Sequence, residues 1–152
     1  MPDIMIRQMI ISDIGQINEI TCRSLDEYFP QEIFGIFMTG WQVGQLTAVD
    51  YSGIVMGFIT GIRVSPDKVK ITLFAVDKKY RYRGIGTELL NEFRIRALSE
   101  GIRTIILEVR NTNVGAISFY EKRGFFRTES LKNFYNDGGD AIRMVSFTIN
   151  NS

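Results

Sequence analysis

Histidine is absent from this chain of 152 residues, and cysteine occurs once, as Cys22. The lack of histidine removes the commonest general base and every Ser–His or Cys–His dyad. A single cysteine permits no internal disulfide, and without histidine it leaves no ligand set for zinc, so the sequence predicts no metal site. Any proton transfer must therefore use a carboxylate, a tyrosine, a lysine or water.

The chain also has little excess of charge and no long apolar segment. Lysine and arginine number 18 against 17 acidic residues, which gives a net charge of +1. A nucleic-acid-binding protein usually carries a basic excess, so we expect no nucleic-acid partner. No apolar run approaches the ~18 residues of a membrane span, and residues 1–7 lack the apolar core of a signal peptide. We therefore expect a cytoplasmic protein with no membrane partner.

The order of apolar patterns and turn residues predicts one mixed α/β (α+β) domain over residues 1–152. Ser12 is the expected N-cap of the first helix. Helical spacing is present at four places, namely residues 14–25, 33–37, 85–100 and 113–123. Strand patterns are present at seven places, namely residues 4–10, 45–50, 54–63, 69–76, 104–109, 125–135 and 141–149.

The segment from Phe74 to Leu90 runs from an apolar strand through a basic, glycine-containing turn into an amphipathic helix. The first turn of a helix leaves backbone N–H groups unpaired and carries partial positive charge. Gly84 and Gly86 lack a Cβ, so a phosphate could approach those N–H groups closely, and nearby arginines add full charges. The segment predicts a site for a diphosphate-bearing ligand. The alternative is an ordinary tight turn with solvated arginines.

Two nucleotide-binding motifs do not fit this turn. A P-loop needs Gly-Lys-Ser/Thr after the glycines, and the sequence lacks it. A dinucleotide-binding turn needs a third glycine, and Leu89 occupies that position.

Glu108 lies inside an apolar run, residues 104–109, which is typical of a strand buried on both faces. A carboxylate in such a strand loses hydration and takes up a proton more readily, as a general base near neutral pH must. The alternatives are an ion pair with Arg110 or a position at a strand end open to solvent.

The next helix places Asn113 and Tyr120 on one face together with Ala116 and Ile117. A ligand lying along this helix could contact both polar side chains. The alternatives are an N-cap role for Asn113 and a core position for the ring of Tyr120.

Together these segments resemble the GCN5-related N-acetyltransferase superfamily over about residues 69–149. The turn Arg81-Tyr-Arg-Gly84-Ile-Gly86 matches its Arg/Gln-x-x-Gly-x-Gly/Ala pattern. The segments Leu107-Glu-Val-Arg-Asn-Thr-Asn113, Ala116-Ile-Ser-Phe-Tyr120 and Lys122-Arg-Gly-Phe125 resemble the branch that acetylates protein N-termini. Within it the likeness is to the ribosomal-protein-alanine acetyltransferase and its archaeal and eukaryotic relatives. The resemblance implies a mixed sheet of about seven strands, flanked by about four helices, with splayed central strands.

By this resemblance the ligand is acetyl-CoA. Asn113 matches a position that lines the acyl arm, and Tyr120 matches the tyrosine near the thioester sulfur. The pantetheine arm would pair with the strand edge formed by Phe74, Ala75 and Val76. The pyrophosphate would lie on the turn formed by Arg81, Tyr82, Arg83, Gly84, Ile85, Gly86 and Thr87.

The implied reaction is direct transfer of an acetyl group to an amine, with Glu108 as the base, through a water, and Tyr120 as the acid. An α-amino group has a pKa near ~8 and a lysine near ~10.4, so a protein N-terminus is the easier acceptor at neutral pH. For the peptide, Glu27 and Tyr28 resemble a Leu-Pro-Glu-x-Tyr loop of the archaeal relatives, although Asp26 replaces the proline. Tyr135 lies in a segment that resembles Asn-Tyr-Tyr, with Phe134 at one tyrosine.

Two other functions fit the same residues. One is acetylation of a small-molecule amine such as a polyamine, an aminoglycoside or an amino acid, for which Asp26, Glu27, Asp137 and Asp140 could supply an acidic mouth. The other is an acetyl-CoA-binding module without catalysis. The sequence is compatible with a monomer and with a homodimer.

Overall fold

The computed structural model describes residues 4–25, 35 and 40–149. The helix expected at residues 33–37 lies outside the described residues, apart from residue 35. No helix in the described ranges is long and apolar enough to cross a membrane. Three α-helices are described, namely α1 (Ile14–Leu25), α2 (Ile85–Ser99) and α3 (Val114–Glu121). The strands are β1 (Met5–Gln8), β2 (Leu46–Val49), β3 (Val55–Ser65), β4 (Lys68–Val76), β5 (Thr104–Arg110), β6 (Phe126–Leu131) and β7 (Ala141–Phe147).

All seven strands form one sheet in the order β1-β2-β3-β4-β5-β7-β6. Only β4 and β5 are parallel neighbours within the described chain. Their pairing joins Lys68–Lys70 to Thr104–Ile106, after which β4 continues along β3 and β5 continues along β7. The two central strands therefore diverge and leave a gap, which confirms the expected splay.

Helices cover both faces of this sheet. On one face α2 contributes Leu89 and Phe93, and α3 contributes Ile117, to the core cluster that includes Leu107 of β5. On the other face α1 buries Ile17 against Phe58 of β3. The mixed α/β fold and the seven-stranded sheet are as expected from the sequence, with three helices in the described ranges rather than about four.

A bulge in β4 decides which of its side chains face α2 and α3. Thr60 of β3 pairs with Leu73, whereas the next residue, Gly61, pairs with Ile71, so Thr72 is the extra residue. An extra residue reverses the alternation of side chains along a strand. Phe74 therefore packs on the same face as Ile71, next to α3, while Leu73 packs on the α1 face.

The start of α1 differs from the prediction. Ser12 lies inside a short 3-10 turn, Ile11–Asp13, and the Asp13 carboxylate accepts the hydrogen bond from the Ile10 N–H at 2.9 Å. Burial opposes ionisation of Asp13, but its hydrogen bonds, first of all that from the Arg7 guanidinium at 2.8 Å, leave its pKa below the usual value. The ion pair thus ties β1 to the beginning of α1.

Candidate active site

The glycine-containing turn begins α2 as the sequence predicts. Gly84 has φ +79°, the left-handed region, and a Cβ there would meet no atom within 4 Å. Glycine is therefore needed at this position for its backbone conformation, because other residues are strained there. The Glu88 N–H closes the first helical hydrogen bond on the Gly84 carbonyl at 3.0 Å. The N–H groups of residues 85–87 precede that bond, so the helix itself leaves them unpaired.

A cleft of about 660 Å³ lies between the end of β4, the start of α2 and one face of α3. Every residue expected to bind the cofactor lines this cleft except Arg83, whose guanidinium lies over the ring of Tyr80 at 5.6 Å from its centre. The lining consists of Phe74, Ala75, Val76, Tyr80, Arg81, Tyr82, Gly84, Ile85, Gly86, Thr87, Asn113, Gly115, Ala116, Phe119, Tyr120 and Arg123.

Arg123 is a cation of this cleft that the sequence analysis did not single out. Its Nε and Nη2 donate to the Thr87 hydroxyl at 3.0 and 2.7 Å. Its guanidinium stacks on the Phe119 ring at 3.7 Å from the centre. A positive charge from the end of α3 is therefore held beside the first turn of α2. The arginine that precedes Gly124 was the only signal for it in the sequence.

A larger groove of about 1000 Å³ lies at the far end of α3, where Arg94, Arg103 and Lys122 are among its lining residues. Neither Glu108, Tyr120 nor the glycine turn lines it. Its size alone does not make it the reaction site, because the residues that the sequence predicts for proton transfer and cofactor binding do not line it.

Asn113 is an N-cap, one of the two roles considered for it, and its ligand contact stays a prediction. Its side-chain oxygen accepts from the Ala116 N–H at 3.1 Å, which makes it the N-cap of α3. The same residue lines the cleft, so a ligand there would meet the capped end of the helix.

Tyr120 lies among aromatic rings at the inner end of the cleft. Its ring centre is 5.4 Å from those of Phe119 and Phe125 and 6.2 Å from that of Phe74. Burial raises the pKa of the Tyr120 hydroxyl well above its usual value. The hydroxyl therefore keeps its proton at neutral pH and is available as a hydrogen-bond donor.

Glu108 is almost completely buried, with 5% of its side chain exposed, and it is ion-paired on both sides. Lys70 Nζ contacts one carboxylate oxygen at 2.5 Å, and Arg143 Nε donates to the other at 3.1 Å. The partner suggested by the sequence, Arg110, instead holds Asp137 through two contacts of 3.1 Å. Glu108 is not among the residues that line the cleft.

Tyr135 is the one described residue among the three predicted peptide contacts, because Glu27 and Tyr28 lie outside the described residues. The Arg110 guanidinium lies over its ring, 4.1 Å from the centre. A Cβ on Gly139 would come within 2.5 Å of Arg110 Nη1, so glycine lets this arginine lie close to the turn. Tyr135 is thereby fixed at the end of β5, on the turn between β6 and β7.

The sequence profile of the acetyltransferase (GNAT) family matches residues 14–125, which include the glycine turn, Glu108 and Tyr120. The chain belongs to this family. An N-alpha-acetyltransferase of Sulfolobus acidocaldarius is 33% identical over 154 residues, covering 93% of this chain and 90% of that protein. The crystal structure of Ard1 from Thermoplasma volcanium is 32% identical with a TM-score of 0.92, covering 97% and 99% of the two chains. A chain of the NatC complex bound to Gag peptide and CoA shares the fold, at 24% identity and a TM-score of 0.85, with coverage of 95% and 98%.

In this GNAT-family protein, Glu108 and Tyr120 belong to opposite faces of the sheet. Leu107 and Val109 face α2 and α3, so the intervening Glu108 points to the face on which α1 packs. Tyr120 comes from α3 on the other face. Because β5 has no β4 partner beyond Ile106 in the described chain, Glu108 borders the gap between the strands. Tyr120 lines the cleft beside Phe74 of β4. A thioester in that gap would have a carboxylate on one side and a phenol on the other.

Proposed function

We propose that this protein transfers the acetyl group of acetyl-CoA to the α-amino group of protein N-termini. The observation that carries the proposal is the gap between β4 and β5, which Glu108 borders, together with the cleft beside Phe74 of β4 that Tyr120 lines. The similarity to a protein named N-alpha-acetyltransferase over nearly the whole chain supports this choice of acceptor.

Acetyl-CoA fits the cleft by charge and by shape. Its pyrophosphate would accept hydrogen bonds from the N–H groups at the start of α2, where the helix dipole also favours an anion. Arg81 and Arg123 line the cleft beside those groups and would offset its charge. The pantetheine amides would pair with the edge of β4 at residues 74–76, where β5 has moved away.

The acceptor would arrive as a neutral amine and attack the thioester carbonyl carbon. The new C–N bond forms, the C–S bond breaks, and the proton lost by nitrogen passes through a water to Glu108. A thiol has a pKa near ~8.5, below that of Tyr120, so Tyr120 would stabilise the leaving sulfur mainly by donating a hydrogen bond. The thiolate then takes its proton from solvent. An α-amino group, with a pKa near ~8, is neutral often enough for this route at neutral pH.

The small-molecule alternative depends on an acidic mouth that would attract a cationic amine. Asp137 is paired with Arg110 at 3.1 Å, and Asp140 is paired with Lys132 at 3.3 Å. Their hydrogen bonds, from Arg110 to Asp137 and from the Asn133 N–H to Asp140, hold the pKa of both carboxyls below the usual value. These two charges are therefore already offset, which favours a peptide over a polyamine.

The test is a transfer assay with acetyl-CoA and peptides that begin with Ser, Ala or Met, beside a panel of free polyamines, aminoglycosides and amino acids. We expect turnover of unblocked peptides, none of the same peptides with an acetylated N-terminus, and little of the free amines. Glu108→Gln and Tyr120→Phe should each lower kcat by ~10²-fold or more while acetyl-CoA binding is kept. Turnover of free amines without turnover of any peptide would overturn the proposal. Binding of acetyl-CoA without transfer to any acceptor would show a binding module instead.

A further inference from the structure

Four side chains of alternating charge cross the sheet at Glu108. They come from four successive strands: Lys70 from β4, Glu108 from β5, Arg143 from β7 and Glu129 from β6. Glu108 and Arg143 are direct cross-strand partners, and so are Arg143 and Glu129. Opposite charges on directly opposed residues of neighbouring strands stabilise a sheet.

The two cations hold different oxygens of the Glu108 carboxylate. Lys70 Nζ contacts Oε1, and Arg143 Nε contacts Oε2. The terminal torsion of a glutamate is otherwise loosely restrained, so contacts on both oxygens fix an orientation that one contact would leave free. Glu129 completes the arrangement because its carboxylate accepts from Arg143 Nη1 at 2.6 Å.

The position of Lys70 along β4 places its ion pair with Glu108 at the beginning of the gap between β4 and β5. Lys70 is the last β4 residue paired with β5, and its partner there is Ile106. Glu108 follows two residues later on the same face, where the backbones have begun to separate. The Lys70–Glu108 ion pair therefore bridges the two strands just where their backbone hydrogen bonds end and the gap begins.

We infer that Lys70 and Arg143 are positioning residues that hold the Glu108 carboxylate in one orientation at the narrow end of the gap. The inference rests on the proposed role of Glu108 as the base. An ionised carboxylate has about four acceptor positions, and these two contacts use two of them. The carboxylate is thus presented to the acceptor amine, or to its bridging water, from a fixed direction.

Removing the Lys70 side chain should slow the reaction without weakening the binding of acetyl-CoA. We expect Lys70→Met to lower kcat by ~10-fold or more, because small misplacements of a reacting group are costly. The KM for acetyl-CoA should stay within about twofold of the wild-type value, since the change does not affect how tightly the enzyme holds acetyl-CoA before the reaction. Lys70→Arg, which keeps the charge, should recover most of the loss. Lys68→Met removes the same charge two residues earlier on the strand and is the matched control, with kcat near that of the wild type.

A double-mutant cycle separates this role from a general effect on the fold. If Lys70 acts through Glu108, then Lys70→Met should cost little further kcat in a protein that already carries Glu108→Gln. The inference would be overturned if the loss of kcat in the double variant equalled the product of the two single losses, or if the Lys70→Met enzyme were as fast as the wild type. Either result would leave the proposed function intact. A wild-type protein without any turnover would overturn both.

Thermal unfolding and acetyl-CoA affinity of each variant show whether it is folded. If Lys70→Met does not fold, Glu129→Gln tests the same arrangement from its outer end, where the Glu129 side chain is 52% exposed. A smaller fall in kcat, again absent in the Glu108→Gln background, is then expected. The inference would be overturned if Glu129→Gln left kcat unchanged and if, in addition, the loss of kcat in the Arg143→Lys, Glu108→Gln double variant equalled the product of the losses in the two single variants.

Discussion

The guanidinium of Arg123 joins the end of α3 to the start of α2 through the hydroxyl of Thr87, with two donors on one oxygen at 3.0 and 2.7 Å. A third donor, Nη1, is held by the Phe119 carbonyl at 2.9 Å. In the described part of the chain these acceptors are all neutral. The fold therefore orients the positive charge of Arg123 beside the cleft, where a bound anion would balance it.

Replacing Arg123 should weaken acetyl-CoA binding rather than slow transfer. A hydrogen bond to a charged group contributes about 1.5–3 kcal/mol, so Arg123→Met should raise the KM for acetyl-CoA about tenfold or more, with kcat nearly unchanged. Calorimetric titration with CoA should show the same loss of affinity. Lys122→Met removes a neighbouring charge that does not line the cleft and is the control. A large fall in kcat at unchanged KM would argue against an anchoring role for Arg123.

Gly84→Ala should destabilise the protein because Gly84 has φ +79°. The left-handed conformation costs about 1–2 kcal/mol for a residue with a Cβ, and urea unfolding should show a loss of that size. Gly15→Ala is the matched control, because Gly15 lies in α1 and a Cβ there meets nothing within 4 Å. That variant should be as stable as the wild type or more stable by about 0.5–1 kcal/mol. Equal stability of the two variants would mean that the turn relaxes without strain.

Tyr120 gives the protein a specific sensitivity to alkaline pH. Burial raises the pKa of its hydroxyl in the folded state, whereas the unfolded chain has the usual value near ~10. Above the unfolded value the unfolded state releases its proton first, so the free energy of unfolding falls as pH rises from about 10. Between neutral pH and pH ~11 the free energy of unfolding, measured with urea, should therefore fall less for the Tyr120→Phe variant than for the wild type. Parallel curves for the two proteins would contradict the burial of this hydroxyl.

Much of the site was predictable because its determinants are local. The turn around Gly84 needs a residue that tolerates a left-handed backbone and leaves helix N–H groups exposed, and both requirements can be read from neighbouring residues. The N-cap role of Asn113 and its spacing to Tyr120 are likewise local, because both depend only on the residues of α3. The cap predicted at Ser12 was wrong, since Asp13 is held by Arg7 of β1 and accepts from the Ile10 N–H instead.

The amino-acid sequence alone determined the element order, the glycine-containing turn at the start of α2, and the placement of Glu108 on a strand and Tyr120 on a helix. Periodicity, glycine sterics and hydrogen-bonding needs act within a few residues, so they leave a readable pattern. The tertiary structure decided which partners these side chains have. Lys70 and Arg143 reach Glu108 from other strands, and Arg123 reaches Thr87 from another helix. The bulge at Thr72, which turns Phe74 towards α3, follows from pairing with β3. These contacts depend on strand register and helix packing, which are set by the whole fold rather than by any one segment.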